Sequence, residues 1–369
     1  MSDADPAVRA VALYLPQFHR TPENDAFWGP GFTEWTNVAR ATPRWPGHYQ
    51  PHFPGELGYY DLRVPETRQE QADLAREHGI SGFAYYHYWF NGRRLLWRPF
   101  DDVLRSGKPD FPFCLVWANE NWTRRWDGQE RDVLLAQAYS AEDDLAHIRH
   151  LLPALADPRA IRVKGRPLFA VYRAEHLPDP GRTAAIWREE AMRQGVGEIY
   201  LAGVESFTSD LDPAAIGFDA TIEFAPDWRL LPRARRAPDA AAAACSPKDD
   251  LMEYDRMARF MLAKPWPDHR WFRGVFPSWD NSPRRARGAT IFLGATPESY
   301  ERWLREAARQ TVAHNPPGER LLFLMAWNEW GEGNHLEPDA RYGRAWLEAT
   351  RRALEDVREA LCRQPGPVA

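Results

Sequence analysis

The stretch Leu321–Pro338, LLFLMAWNEWGEGNHLEP, is where fold and chemistry can be read together. Leu321–Met325 is a continuous apolar run, the pattern of a strand buried on both faces. It breaks off into Trp327, Asn328, Glu329, Trp330, Gly331, Glu332 and Gly333. Glycines at 331 and 333 permit a tight turn. A helix-like turn would set Glu329 and Glu332 on one side, roughly 5–6 Å apart, which suits two carboxyl groups flanking one reacting bond. The competing account is a solvated turn with two surface acids. Trp327 and Trp330 count against it, because surface turns seldom carry indoles.

Working outward, seven further strand-like runs precede this one: Ala10–Leu15, Ile80–Tyr86, Pro112–Val116, Pro167–Tyr172, Glu198–Val204, Phe218–Ile222 and Gly274–Pro277. Helix-like segments alternate with them. These are Pro65–His78 before Gly79, Arg98–Ser106, one opening at Ser140 with Glu142 and Asp143 in its first turn, Thr183–Gln194, Lys248–Ala263, Pro297–His314 and Ala340–Leu361. Strands alternating with helices predict a parallel sheet with right-handed crossovers, and eight strands close into a barrel. The expected fold is therefore α/β, a (β/α)8 TIM barrel. Arg20–Val64, rich in Pro, Gly and Trp, is too long for a routine connection and reads as a functional insertion after strand 1. One catalytic domain over residues 1–363 and a disordered tail over 364–369 are expected.

Active sites of such barrels lie at the C-terminal ends of the strands. There the sequence collects His19, His87, Asn119 and Glu120, Glu205, Glu223, Asp280, Glu329 and Glu332. Polar residues after nearly every strand predict one funnel-shaped site.

Bulk properties narrow the function. The 369 residues carry a net charge of −5 with a pI near 6.2, so no global basic field points to nucleic acid. Cys114, Cys245 and Cys362 are sparse and far apart, which argues against a disulfide framework or a structural zinc site. The opening MSDADPAVRA has no secretory pattern, and no apolar run approaches the ~18 residues of a membrane span. A cytoplasmic protein without a membrane span is expected. Seventeen tryptophans, many beside Asn, Glu, His or Arg, suit a cleft that stacks on sugar rings or bases, though some must simply fill a large core.

A carboxylate pair in an aromatic cleft meets the needs of glycosidic cleavage, one acid protonated and one ionised. Glycosyl transfer could use the same pair. GxSxG and GxxxxGK[ST] are both missing, so serine-hydrolase and P-loop readings lack their motifs and fit less well. His147 and His150 read as a surface pair on a helix, and Asp210 and Asp212 as a capping loop, so neither predicts a metal. Asp127-Gly128 is most simply a turn. The basic, alanine-rich segment Arg229–Cys245 reads as a surface insertion. No metal and no cofactor are expected. Asn119, Glu120 and Asn121, between Trp117 and Trp122, read either as sugar ligands or as a polar loop over buried indoles. His87 reads either as a ligand contact or as a hydrogen-bonded core histidine.

Six motifs taken together resemble a known group: ALYLPQFH at 12–19, FWGPGFTEWTNV at 27–38, QPHFPGELGYYDL at 50–62, GFAYYHYWF at 82–90, VWANENWTRRWDG at 116–128 and AWNEWGEGNHLEPD at 326–339. They look like the WbsX group, bacterial proteins of surface-polysaccharide gene clusters often labelled glycosyltransferases. These are similar in turn to glycoside hydrolase family 99, the endo-α-1,2-mannosidases and mannanases. The resemblance implies a (β/α)8 barrel, a carbohydrate substrate and a retaining mechanism. It implies that Glu329 deprotonates the sugar 2-hydroxyl, which attacks the anomeric carbon to give a 1,2-anhydro intermediate. Glu332 would be the acid for the leaving group and then the base for water. It places Tyr14, His87, Trp117 and Trp279 at sugar subsites. Tyr88, Asn119, Glu120, Trp122, Glu223, Trp327, Asn328 and Trp330 complete the expected binding set. The WANENW block and the missing export signal set the chain apart from the secreted enzymes.

Overall fold

The structure, a computed structural model, describes residues 6–124, 129–207, 211–235 and 248–363; the side chains at 124 and 129–132 are not described. Eight parallel strands close on themselves: β1 Arg9–Tyr14, β2 Ile80–Phe90, β3 Phe113–Trp117, β4 Arg166–Val171, β5 Tyr200–Glu205, β6 Ala220–Glu223, β7 Arg270–Val275 and β8 Leu321–Leu324. Each pairs with the next in sequence, and β8 returns to β1 in the register Arg9↔Leu321 to Ala12↔Leu324. The four residues of β8 are completely buried, as its unbroken apolar pattern requires. The fold is a (β/α)8 TIM barrel.

Outside the barrel run α1 Pro65–Glu77, α2 Arg98–Ser106, α3 Ala141–Ala156, α4 Pro180–Arg193, α5 Tyr254–Leu262, α6 Pro297–His314 and α7 Ala345–Cys362. Local chemistry sets where several begin. The Ser140 side chain accepts from the Asp143 N–H to cap α3, and Thr296 with Ser299 forms a reciprocal capping box on α6. Proline in the first turn of α1, α4 and α6 costs no helical hydrogen bond. None of the described helices is long and apolar enough to cross a membrane.

Three expectations need correction. β7 starts at Arg270, not Gly274, because Arg273 lies inside the strand, fully buried and paired with Glu223; a charged residue in a core strand hides the apolar pattern. Asp250–Glu253 is a strand rather than the start of a helix, since it pairs in parallel with Thr290–Leu293, a partner forty residues away in the register Asp250↔Thr290. α7 starts at Ala345 rather than Ala340, because the Asp339 carboxylate accepts from the N–H groups of Arg341 and Tyr342 and holds that segment in a turn. The RARR segment in part, Asp210, Asp127-Gly128 and the tail at 364–369 lie outside the described residues.

The insertion after β1 folds back over the segment that follows β8. It contains two short helices, Pro22–Trp28 and Trp35–Arg40. Gly55 N–H donates to the Pro338 carbonyl at 2.8 Å, and Ala340 N–H donates to the Phe53 carbonyl at 2.8 Å. The Trp35 ring packs on Trp330, centroids 5.5 Å apart, and its indole N–H reaches the Tyr60 carbonyl at 2.8 Å. The opening stretch is therefore buttressed by a long-range partner.

Candidate active site

Beyond β8 the chain keeps its hold on β1 through a side chain. Trp327 N–H donates to the Leu13 carbonyl at 2.7 Å. The Asn328 amide then continues the ladder, accepting from Leu15 N–H at 2.8 Å and donating to the Leu15 carbonyl at 3.0 Å. Trp330–Glu332 forms a single 3-10 turn that ends at Gly333, where φ is +58°. Glycine suits that left-handed position. Gly331 is needed for a different reason: a Cβ there would collide with the Glu34 carboxylate.

The turn sets two acids on one guanidinium. Arg284, which follows β7 on the loop after Trp279, places Nη1 2.6 Å from Glu332 Oε1. Its Nη2 donates to Glu329 Oε1, and it holds Glu34 through Nε and through Nη2, the latter at 2.7 Å. Gln17 donates to Glu329 Oε1 at 3.2 Å and also to Glu34. Arg284, Glu34 and Glu329 are all buried. Burial holds the Glu329 carboxyl well above the usual carboxylate range; Arg284 pulls it down, but Glu332 and Glu34 add to the rise. Arg284 is pushed well above its ordinary value by Glu329, Glu34 and Glu332, against the opposing effect of its burial. Three acids share one cation, an arrangement that favours keeping a proton among them near neutrality.

The acids open onto a cavity of about 180 Å³ at the C-terminal mouth of the barrel. Tyr86, Tyr88 and Trp122 form one wall, and Trp228, Trp279 and Phe224 another. Tyr88 meets Trp122 edge-on at 5.2 Å, and Trp228 meets Trp279 edge-on at 5.0 Å. At the rim Glu120 pairs with Arg173 Nη1 at 2.7 Å. Aromatic faces beside carboxylates suit sugar rings, whose C–H faces stack while the hydroxyls take hydrogen bonds.

Of the residues singled out in the sequence, Tyr88, Glu120, Asn121, Trp122, Trp279, Glu329 and Glu332 meet in this cavity. The others stand behind it. Tyr14 donates to Gln71 at 2.7 Å. Gln71 donates to Glu337 at 2.6 Å, and Glu337 also accepts from Tyr60 at 2.7 Å and from the Trp330 indole at 2.6 Å. This network lies beneath the turn, and burial pushes Glu337 up to about 7. Trp330 stacks on His335, centroids 3.6 Å apart. Trp327 and Asn328 are fully buried. Asn119 accepts from Arg173 N–H and donates to the Arg173 carbonyl, both at 2.8 Å, so it fastens a loop. Trp117 is buried, its indole N–H on the Trp89 carbonyl at 3.2 Å.

The single funnel lined by every strand-end polar residue is not what forms. For His87 strand alternation is the reason, and for the others it is the partner each one finds. In β2, Tyr86 and Tyr88 face the cavity, so His87 between them faces α3, where its Nε2 meets His147 Nε2 at 2.9 Å. His147 is accordingly buried, not the surface residue its helix position suggested, and His150 is half-buried beside Arg94. Glu223 is sealed against Arg273 and Lys264, and Asp280 against His48 and Gln50. Glu205 accepts from the Trp271 indole at 3.1 Å, and burial with Glu223 nearby pushes it up to about 7. His19 is also buried. Sequence reasoning passed over Arg284, Gln17, Tyr86 and the role of Glu34. The signal for Arg284 was only its place a few residues beyond a strand end, inside an unremarkable SPRRAR run.

Known proteins fit this picture. The sequence profile described as "Glycosyltransferase WbsX" matches residues 10–350. In two strains of Xanthomonas campestris pv. campestris, a protein described as "Uncharacterized protein WxcX" is 47% identical over 357 residues, which is 95% of this chain. The chain spans about half the length of these curated relatives, 51% in each case. Among solved structures, the GH99 endo-alpha-mannosidase from Bacteroides thetaiotaomicron superposes with a TM-score of 0.59 at 16% identity, covering 96% of this chain and 99% of that one. A glycoside hydrolase-like protein superposes with a TM-score of 0.60 at 14% identity, covering 96% and 95%. At such identities the likeness is one of fold. With its match running over almost its whole length, the chain belongs to the family described as glycosyltransferase WbsX.

Proposed function

We propose that the protein is a retaining glycoside hydrolase acting within α-linked carbohydrate chains, in the metabolism of bacterial surface polysaccharide. The observation that carries the reading is the bridging of Glu329 and Glu332 by Arg284 on the wall of an aromatic cavity. Bridging by one guanidinium keeps the two carboxyl groups near enough to flank one glycosidic bond, as the paired acids of a glycosidase must. The likeness in fold to a GH99 endo-alpha-mannosidase supports the same reaction class.

In this reading substrate binding leaves Glu329 ionised against Arg284 and hands the proton kept by the cluster to Glu332. Glu329 takes the proton of the sugar 2-hydroxyl as O2 bonds to the anomeric carbon. The glycosidic C–O bond breaks, and Glu332 gives its proton to the leaving oxygen. Glu332 then takes a proton from water, whose oxygen bonds to the anomeric carbon from the face that the leaving group vacated. The C1–O2 bond opens and O2 recovers its proton from Glu329. Two inversions give net retention. Arg284 steadies whichever carboxyl is ionised at each step.

A second reading, glycosyl transfer to an acceptor sugar in place of water, is favoured by the description of the family. Against a nucleotide-sugar donor stands the charge of the cavity: Arg284 is shared by three carboxylates, and Arg173 is paired with Glu120 and Glu175, so neither is poised for a diphosphate. Incubation with α-linked bacterial polysaccharides and no nucleotide sugar tests the choice. The expected result is release of reducing ends with retained anomeric configuration by NMR. Strict dependence on a nucleotide sugar would exclude hydrolysis.

A further inference from the structure

Behind Trp279, away from the two acids, lies a second polar cavity of about 300 Å³ with His48, His52, His335 and Asp339 in its walls. We propose that His52, His335 and Asp339 bind one divalent first-row transition ion that clips the insertion after β1 to the segment after β8. One ligating atom from each of the three residues falls in a set lying within 4.8 Å of one another, and all three residues are buried.

The surroundings prepare these atoms for an ion. His335 Nδ1 lies 3.0 Å from the Glu337 carbonyl, which can only accept. The proton is therefore on Nδ1, and the Nε2 lone pair, which accepts from His52 Nδ1–H, belongs to the tautomer that a ligating imidazole needs. That lone pair faces His52 Nδ1 at 2.9 Å and Asp339 Oδ2 at 3.9 Å. Two ligands of a tetrahedral ion, each bonded at 2.0–2.1 Å, lie about 3.3–3.4 Å apart, so admitting the ion takes only a few tenths of an ångström of separation between the two rings. An ion bound here would replace the proton between the two rings and give the Asp339 carboxylate a cation as well. Asp339 is held from its other oxygen by the N–H groups of Arg341 and Tyr342, at 2.8 and 2.6 Å, which fixes its carboxylate in place. Tyr49 stacks on His52 at 4.1 Å and fixes that ring. Two imidazoles and one carboxylate beside a cavity that can supply water suit Zn²⁺, Fe²⁺ or Co²⁺ rather than Ca²⁺ or Mg²⁺, which prefer oxygen ligands.

The position gives the ion a purpose. His52 comes from the insertion, and His335 and Asp339 from the segment after β8, where Pro54 and Asp339 already form a backbone bridge. His335 carries the stacked Trp330, the first residue of the turn that bears Glu332. An ion here would brace the turn without touching substrate.

The test uses the full chain, stripped with a chelator and then titrated with Zn²⁺ and with Co²⁺. The expected result is one ion per chain retained through gel filtration, visible ligand-field absorption from bound Co²⁺, and a higher Tm on reloading. His52→Gln and Asp339→Asn, each checked for native circular dichroism, should lose the stoichiometric ion, while Glu329→Gln should keep it. No retained ion and no Co²⁺ bands in the unaltered protein would overturn the proposal, whatever the variants do. So would binding that survives in both variants or disappears with Glu329→Gln.

Discussion

Of two charge clusters at the same end of this barrel, one faces a cavity and the other is sealed. At the ends of β6 and β7, Glu223 pairs with Arg273 Nε at 2.9 Å and with Lys264 Nζ at 3.1 Å, and Lys264 also reaches Asp227 at 2.7 Å. Each acid there has two cations, since Asp227 also holds Arg229 at 2.7 Å, and Glu223 and Arg273 have no exposure at all. Beyond β8, Glu34, Glu329 and Glu332 share Arg284, three acids on one cation, and Glu329 and Glu332 line the open cavity. From sequence the clusters look alike, acids at strand ends among aromatic residues. What separates them is charge balance and access. A balanced, sealed cluster stabilises the fold through pairing; an unbalanced one beside a cavity keeps a proton that can be moved.

The largest effect should come from exchanging the acids for amides. Glu329→Gln and Glu332→Gln should each lower kcat by about 10³-fold or more while leaving Tm near that of the unaltered protein, on the scale of losing an essential general acid or base. Glu223→Gln should do the reverse, lowering Tm because Arg273 loses its charged partner in a sealed site, with activity per folded molecule preserved. Denaturation curves and initial rates on the same preparations check this. Equal loss of activity in Glu223→Gln would erase the distinction between the clusters.

Removing the cations comes next. Arg273→Met and Arg284→Met should each cost about 3–5 kcal/mol, the usual penalty for leaving buried charge uncompensated. The two should differ in their response to pH. Without Arg284 the Glu329 carboxyl loses the charge that pulls its proton affinity down, leaving burial and its acidic neighbours, which raise it. Its contribution to stability is then present at low pH and lost as pH rises. The deficit of Arg284→Met should accordingly shrink on acidification from pH 8 to pH 5, as measured by urea denaturation, whereas Arg273 faces a single carboxylate ion pair and its variant should respond less. A pH-independent deficit in Arg284→Met would argue against shared protons.

How much of this was legible beforehand follows from what sequence patterns encode. β8 and the acids after it were readable because a fully buried strand leaves an unbroken apolar run and its abrupt end is conspicuous. α2 and α6 were readable to their ends because proline, capping residues and glycine act locally. The strand Asp250–Glu253 and the buried Arg273 were not, since each depends on a partner far along the chain. The same limit applies to the site. Alternation along β2 decides that Tyr86 and Tyr88 face the cavity and His87 does not, and that phase is fixed only once the barrel closes. Arg284 acquires its place from Glu34, 250 residues earlier, and nothing in its neighbours announces it.

The smallest effect concerns two acids outside both catalytic roles. Glu205 and Glu337 are each pushed from 4.5 up to about 7, chiefly by burial. Glu337 accepts from Tyr60, Gln71 and Trp330, donors that favour its charged form, yet burial outweighs them. A carboxyl that binds its proton more tightly when folded adds stability that is fully present below about pH 4.5 and is lost as pH rises toward 7. The amount is on the order of 3 kcal/mol for each group at most. Glu205→Gln and Glu337→Gln cannot titrate, so each should flatten the fall in unfolding free energy between pH 4.5 and 7 relative to the unaltered protein, whatever its absolute stability. The slope is the discriminating quantity, because an amide at 337 would turn its own N–H groups toward Tyr60, Gln71 and Trp330 and destabilise at every pH. An unchanged slope in Glu337→Gln would mean that the three donors win and the network beneath the catalytic turn holds an ionised carboxylate.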